Sequence, residues 1–267
     1  MPGMWRRNLE FYRGMIEGCA PGTHKAAVKL ILKHMRGRAG VLDCGARAGS
    51  LLARLRDAGF DDLNAIDLDV SEMKLTDVPI RRIDLNTRFA PLYTRKFELI
   101  CCADVLEHLD SPRQFLQQSY RLLEDDGFLC ITVPNIAFWH GRVKFLLKGE
   151  HWGFGERNYR LQRHISPITY DAMRMTMAEC GFVLLDAITA GSFAGPLQKI
   201  LLSPLAGIFR LIGGPRAVGE TSIYLARKAA PNTELARPVH YRSWERETMP
   251  VEETSEAAKE RFTPQMQ

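Results

Sequence analysis

Residues 40–49 read GVLDCGARAG. Gly40 to Cys44 is a short apolar run with the length of a buried strand, and Ser50 to Ala58 then repeats Leu51, Leu52 and Leu55 at helical spacing until Gly59 stops it. A strand, a glycine turn and a helix therefore follow in order. In the turn from Asp43 to Gly49, glycines let backbone approach a ligand, and the N–H groups at the helix start face an anionic group. Nucleotide-type sites are built this way. A purely structural turn also favours glycine, and the GxGxxG of dinucleotide folds is not met here.

Outward from this turn, apolar runs alternate with helix-period segments, the pattern of an α/β domain with a parallel sheet. Upstream, Thr23 is expected to cap a helix with Ala27, Leu30, Ile31 and Met35 inward, ended by Gly37. Downstream strands are expected at Leu63–Asp67, Val78–Ile83, Phe97–Cys102, Phe128–Val133, Phe182–Ala187 and Thr221–Ala226. Ser111-Pro112 and Ser166-Pro167 each read as a helix start, the second helix ending at Gly181. Residues 135–165 break the rhythm with Trp, Phe, Gly, Arg and His and read as an insertion or lid. A second insertion, 193–213, is apolar but interrupted by Lys199, Pro204 and Arg210, which predicts a helix pair in a core or dimer contact, with peripheral membrane contact through 193–212 as the other reading. Residues 1–22 read as an N-terminal extension, 23–228 as the domain and 229–267 as a disordered tail.

Composition narrows the function. The 267 residues carry 36 basic and 31 acidic side chains, a formal net charge of +5, and 46% are hydrophobic. Basic residues are scattered rather than gathered into a stripe, which argues against nucleic acid as partner. The six cysteines lie mostly in apolar stretches without zinc-site spacing, so no metal site is expected and they read as buried thiols. Met1 to Cys19 lacks the apolar core of a secretory signal, and no run of eighteen apolar residues occurs, so the expectation is a cytoplasmic protein, with the membrane reached only peripherally.

Four further pieces sit where open α/β sheets bind ligands. Asp67 ends the second strand, where a carboxylate accepts hydrogen bonds from ribose hydroxyls; Asp69 is the neighbouring acid, and a solvated strand end is the plain alternative. Asp84-Leu85-Asn86 follows the third strand and is either an adenine contact or an ordinary Asx turn. Ala103 to Leu109 (ADVLEHL) follows the fourth strand and places Asp104, Glu107 and His108 within five residues, as a site or as a capping cluster. His164 lies at the end of the first insertion.

Together these pieces resemble the class I S-adenosylmethionine-dependent methyltransferases. VLDCGARAG is similar to their first motif, AIDLD to the acidic end of the second strand, DLN to the adenine contact, and ADVLEHLDSPRQFL with RLLEDDGFLCITVPN to the motifs of the fourth and fifth strands. The resemblance spans roughly Lys25 to Lys228. It implies a Rossmann-like seven-stranded sheet of order 3-2-1-4-5-7-6 with strand 7 antiparallel, and S-adenosyl-L-methionine as cofactor. The cofactor-binding set it implies is Asp43, Gly45, Arg47, Gly49, Asp67, Asp84, Leu85, Cys102 and Asp104. The acceptor side has His108 and His164 as candidate bases, with Glu107 orienting His108 or binding substrate. VPN followed by an aromatic insertion and His164-Ile165-Ser166 is similar to a branch that methylates small molecules, quinone precursors and glycans, so the implied acceptor is a small-molecule, glycan or lipid-linked one. Arg47 departs from the pattern, which has glycine there: its guanidinium either pairs with the cofactor's carboxylate or blocks the pocket. A blocked site would leave a non-catalytic scaffold. A nicotinamide-dependent oxidoreductase is the remaining rival on the same sheet.

Overall fold

The computed structural model describes residues 9–35 and 40–229. The expected helix stop at Gly37 and all but the first residue of the 229–267 tail lie outside the described residues. Strands β1 (Val41–Cys44), β2 (Leu63–Asp67), β3 (Ile80–Arg82), β4 (Phe97–Ala103), β5 (Leu123–Pro134), β6 (Phe182–Ala190) and β7 (Thr221–Lys228) form one seven-stranded sheet. Their order is β3-β2-β1-β4-β5-β7-β6. The first five are parallel, and β7 runs antiparallel to both β5 and β6. This is the expected order and the expected odd strand.

Side-chain alternation assigns the two faces of the sheet. Val41, Leu99, Cys101, Ile223 and Leu225 pack under helices α1 (Thr23–His34) and α2 (Ser50–Asp57). Their neighbours Leu42, Cys44, Ile100, Cys102 and Tyr224 pack on the opposite face, against α3 (Pro112–Leu122) and α6 (Tyr170–Glu179). Continuous apolar runs are required because both faces are covered. Cys44, Cys101, Cys102 and Cys130 are buried in this way, Cys19 is buried ahead of α1, Cys180 is half-buried, and all six are free thiols.

Four local departures from expectation have physical causes. Gly22, not Thr23, takes the cap position of α1, in a left-handed conformation (φ 95°) suited to glycine. The start of α6 shifts to Tyr170 under a Thr169 cap, because Ser166 is engaged elsewhere: its N–H donates to the Glu107 carbonyl and its hydroxyl to that of Leu109. Residues 193–213 hold a single helix, α7 (Pro196–Gly213), which runs through Pro204. The Ser203 hydroxyl donates to the Ile200 carbonyl at 2.9 Å, replacing the N–H that Pro204 lacks. The helix is exposed along most of its length, so the expected core pair is not formed. Residues 9–22, read only as an extension, contain a hairpin of Phe11–Tyr12 with Met15–Ile16 turned at Arg13-Gly14, both with positive φ. It is tied to α2 by Arg13 and Tyr12 on Asp57 and by Glu10 and Glu17 on Arg54.

The first insertion forms α4 (Trp139–Lys148) and α5 (Glu156–Gln162). Both follow the carboxyl end of β5. Because β6 is parallel to β5 through β7, α7 leaves β6 at that same edge.

One sheet position is costly. Asp43 in the central strand is 2% exposed, and its Oδ1 has no partner among the described residues. Burial first, and the charge of Asp67 second, push its carboxyl up to about 7. A carboxyl raised above its unfolded value of about 4 contributes stability below that value, and the contribution is lost as pH climbs through the folded value. Asp43→Asn should therefore match the parent's melting temperature near pH 4 and exceed it above about pH 7. Melting curves across that range check this, and a constant offset would show that Asp43 does not titrate there.

Candidate functional site

The turn after β1 is a cradle at the carboxyl edge. Gly45 and Gly49 have φ of 84° and 87°, where a side chain is strained. A Cβ on Gly45 would overlap Val105 Cγ2, and one on Gly49 would lie 2.8 Å from Met73 Sδ. The glycines thus serve close approach between the turns of β1, β2 and β4 as well as the backbone conformation. Arg47 also has positive φ (48°). Its guanidinium does not enter the cradle: Nε donates to Glu72 at 2.8 Å, and the side chain stays half in solvent against Gly18.

Asp67 closes the turn from the β2 side. Its Oδ2 accepts the Arg47 N–H at 2.7 Å and its Oδ1 accepts the Asp69 N–H at 2.9 Å. Each oxygen retains lone-pair capacity, so the carboxylate is held in place and still able to accept from a ligand. Leu68 beside it is exposed, an apolar surface that the sequence reading passed over. At the end of β3, Asp84 makes the Asx turn, its Oδ1 accepting the Asn86 N–H at 2.9 Å; Leu85 is buried. Cys102 lies at the end of β4 beside the site, with its side chain turned away. Alternation along β4 turns its thiol into the core on the α3 face, so its side chain is not at the site surface.

Asp104, Glu107, His108 and His164 converge. Asp104 follows β4 with φ of 51°; its N–H bonds the Thr132 hydroxyl at 3.0 Å, and its Oδ1 accepts from that hydroxyl at 2.5 Å. Burial pushes its carboxyl up to about 6. Residues 106–108 make a single tight turn that buries Glu107 (1% exposed), whose Oε2 finds no partner among the described residues. Desolvation first, then the charge of Asp104, holds the Glu107 carboxyl well above the usual range. The Glu107 carbonyl accepts the N–H groups of Ile165 and Ser166 at 2.9 and 3.0 Å, which pins the end of the insertion to this turn. As a result the rings of His108 and His164 meet edge to face, 4.8 Å between centroids.

The His164 Nδ1 lies 2.8 Å from the Gly153 carbonyl. A carbonyl only accepts, so Nδ1 carries the proton and the lone pair of the neutral ring is on Nε2. Burial, then the charge of His108, lowers the His164 pKa and favours that neutral form. The ligand atoms of Glu107, His108 and His164 all lie within 4.8 Å of one another, a grouping that also suits a cation; Glu17, Cys19 and His24 make a second, fully buried group of this kind. Neither was legible as a metal set, since Glu107 and His164 are far apart in sequence and Glu17, Cys19 and His24 lie in what read as an extension. Cys19, whose thiol is raised by burial and by Asp104, and Thr132 are the site neighbours that motif reading missed. Only the tertiary fold brings them to Asp104.

Comparison with known proteins places this geometry. A methyltransferase domain family matches residues 13–187. An uncharacterized protein of Methanocaldococcus jannaschii is 30% identical over 112 residues, 40% of this chain and 47% of that protein. A ubiquinone biosynthesis O-methyltransferase of Glaesserella parasuis is 43% identical over 42 residues, 16% of this chain and 18% of that enzyme. The matched segments thus span less than half the length of these curated relatives. Among solved structures, a SAM-dependent methyltransferase from Archaeoglobus fulgidus superposes with a TM-score of 0.54 at 14% identity, covering 76% of this chain and 92% of that one. Magnesium protoporphyrin IX methyltransferase from Synechocystis, with bound SAH, gives 0.52 at 15% identity over 78% and 82%. At such identities the structural likeness is one of fold. The family match across most of the chain, together with the sheet order, sets the nicotinamide oxidoreductase aside: the chain belongs to the class I S-adenosylmethionine-dependent methyltransferase family.

Proposed function

We propose that this chain transfers a methyl group from S-adenosylmethionine to an oxygen or nitrogen atom of a small-molecule, glycan or lipid-linked acceptor, with Glu107, His108 and His164 handling the acceptor's proton. The observation that carries this reading is the convergence of those three residues beside the glycine cradle, through the backbone bonds that tie residues 165 and 166 to Glu107. When bound, the cofactor supplies an electrophilic methyl group on a sulfonium sulfur.

The residues present fit such a ligand. Gly45 and Gly49 let it approach the backbone, Asp67 has acceptor capacity for ribose hydroxyls, and Leu68 offers an apolar surface for a base. Asp84 and Leu85 stand at the same edge as the candidate adenine contact. Arg47, held on Glu72, leaves the cradle open, which supports a catalytic protein over a scaffold.

On the acceptor side, His164 is set by Gly153 to present Nε2 as a base, and His108 lies against it to pass the proton on. Glu107, with a raised pKa, is suited to hold a proton or to neutralise the imidazolium that forms. Phe138 packs against both Trp139 and Trp152, an apolar cluster suited to keeping water from the acceptor side. A hydroxyl acceptor gains most from this arrangement, because its proton must leave as the carbon–oxygen bond forms. Six free, mostly buried thiols support a reducing, cytoplasmic setting.

Titration calorimetry with S-adenosylhomocysteine tests the cofactor side. Asp67→Ala should weaken binding by about tenfold or more, the loss expected of hydrogen bonds to a charged group. Arg47→Gly should change affinity by less than about threefold, since a half-exposed ion pair contributes little; a large gain instead would show that Arg47 obstructs the site. For the chemistry, release of S-adenosylhomocysteine is measured with a panel of phenol, sugar-hydroxyl and amine acceptors. With the active acceptor, His164→Ala and His108→Ala should each lower kcat by about 10²–10⁴-fold while leaving cofactor affinity unchanged. Turnover equal to the parent in both variants would overturn the base assignment, and turnover with no acceptor would overturn the function.

A further inference from the structure

Helix α7 carries an apolar stripe that nothing in the described chain covers. Leu197, Ile200, Leu201, Ile208, Leu211 and Ile212 recur at helical spacing on one face, with Leu211 88% and Ile212 81% exposed. The other side of the helix meets the protein: Phe209 stacks on Trp139 of α4 at 5.6 Å, and Arg142 of α4 reaches the Gly213 carbonyl. The neighbouring insertion adds exposed Phe145, Leu146 and Leu147 from α4 and Leu161 from α5. Single exposed leucines need no explanation, whereas a contiguous group of this kind marks an interaction surface.

Charge identifies the occupant. Helices α4, α5 and α7 together carry seven Lys and Arg residues against one acid, Glu156, and α7 has Lys199 and Arg210 with no acid at all. A second copy of this chain would bring two such basic surfaces together. The chain's own residues 230–267 are rich in glutamate but poor in large aliphatic side chains, and would leave the stripe uncovered. No described helix is long and apolar enough to cross a membrane. An apolar stripe with basic groups on the opposite, polar face of a helix that does not span is the pattern of a helix lying in the headgroup region of an anionic bilayer.

We propose that α7, with the adjoining ends of α4 and α5, docks this protein on the surface of an anionic lipid bilayer. These helices leave the sheet at the edge that holds His108 and His164, so docking presents that edge to an acceptor dissolved in the lipid. This last consequence rests on the reading of the site given above, whereas the docking does not.

Co-sedimentation of the full chain with phosphatidylglycerol/phosphatidylcholine vesicles and with pure phosphatidylcholine vesicles tests it, alongside sedimentation velocity without lipid. The protein should pellet with the anionic vesicles, less so with neutral ones, and less as salt is raised. Ile200→Asp combined with Leu211→Asp should weaken partitioning by about tenfold or more. Lys199→Glu combined with Arg210→Glu should lower binding to anionic vesicles and leave the weak binding to neutral ones unchanged. All four positions are solvent-facing, so melting temperatures should match the parent and exclude misfolding as the cause. Failure to bind anionic vesicles, or binding that survives the Asp substitutions, overturns the proposal. A dimer in lipid-free buffer that those substitutions dissociate overturns it in favour of a second copy. Methyl transfer is read separately, so loss of docking and loss of the site's reading are distinguishable.

Discussion

The turn after β1 and the turn after β4 touch at Gly45 and Val105, so closely that a single added methyl group on the glycine would overlap the valine side chain. Much of the site depends on that contact. It requires a glycine in a left-handed conformation at position 45 and sets the start of the Asp104 segment against the cradle, directly before the turn that buries Glu107. Parallel pairing of β1 with β4, in the register Asp43 to Cys101, brings the two turns to the same height. Ligand sites form at such edges because neighbouring strands end together there while their connections diverge.

A second, weaker device completes the site. Backbone N–H groups of residues 165 and 166 both end on the Glu107 carbonyl, so a segment more than fifty residues downstream is held by main-chain bonds that do not depend on side-chain identity. Ser166 adds its hydroxyl to Leu109, and Pro167 keeps the residue before it extended and out of a helix. The price of this fastening is a later start for α6. Its return is a His164 whose ring is oriented at Nδ1 by Gly153 and packs edge to face against His108.

The central domain was largely legible because buried parallel strands must be apolar on both faces, and each glycine turn stands out against such runs. The seven strands and the glycine turn follow from that, whereas the strand order is what the methyltransferase resemblance implied. Cys102 shows the limit: a motif position next to the site is not the same as a side chain facing it, and period-two alternation sends this thiol to the core. Asp84 shows another, since one of its oxygens is oriented by its own Asx turn as well as being open to a ligand, and the two readings of DLN are not exclusive. The hairpin at Phe11–Ile16 was missed because two-residue strands have no periodicity to detect. The single helix α7 was missed because Pro204 reads as a break, and the compensating Ser203 bond depends on a rotamer that sequence does not encode. Convergence of His164 on His108 was guessed as a pair of candidates but not as a contact, because its cause is a backbone bond to a carbonyl.

Three acids crowd one edge of the sheet, and the structure offers them little compensation. Asp43 and Glu107 each leave an oxygen unpaired, Asp104 receives one hydroxyl, and burial raises all three. A protein selected for stability alone would replace such groups with apolar ones, since a buried carboxyl without a partner costs several kcal/mol. On the function proposed above, a ligand that carries positive charge near this edge accounts for them, because opposite charge lowers the cost of ionising a buried carboxyl. S-adenosylmethionine is cationic at its sulfonium, and the demethylated product has lost that charge. On that proposed reading, the electrostatics that penalise the fold without ligand favour the methyl donor over its product.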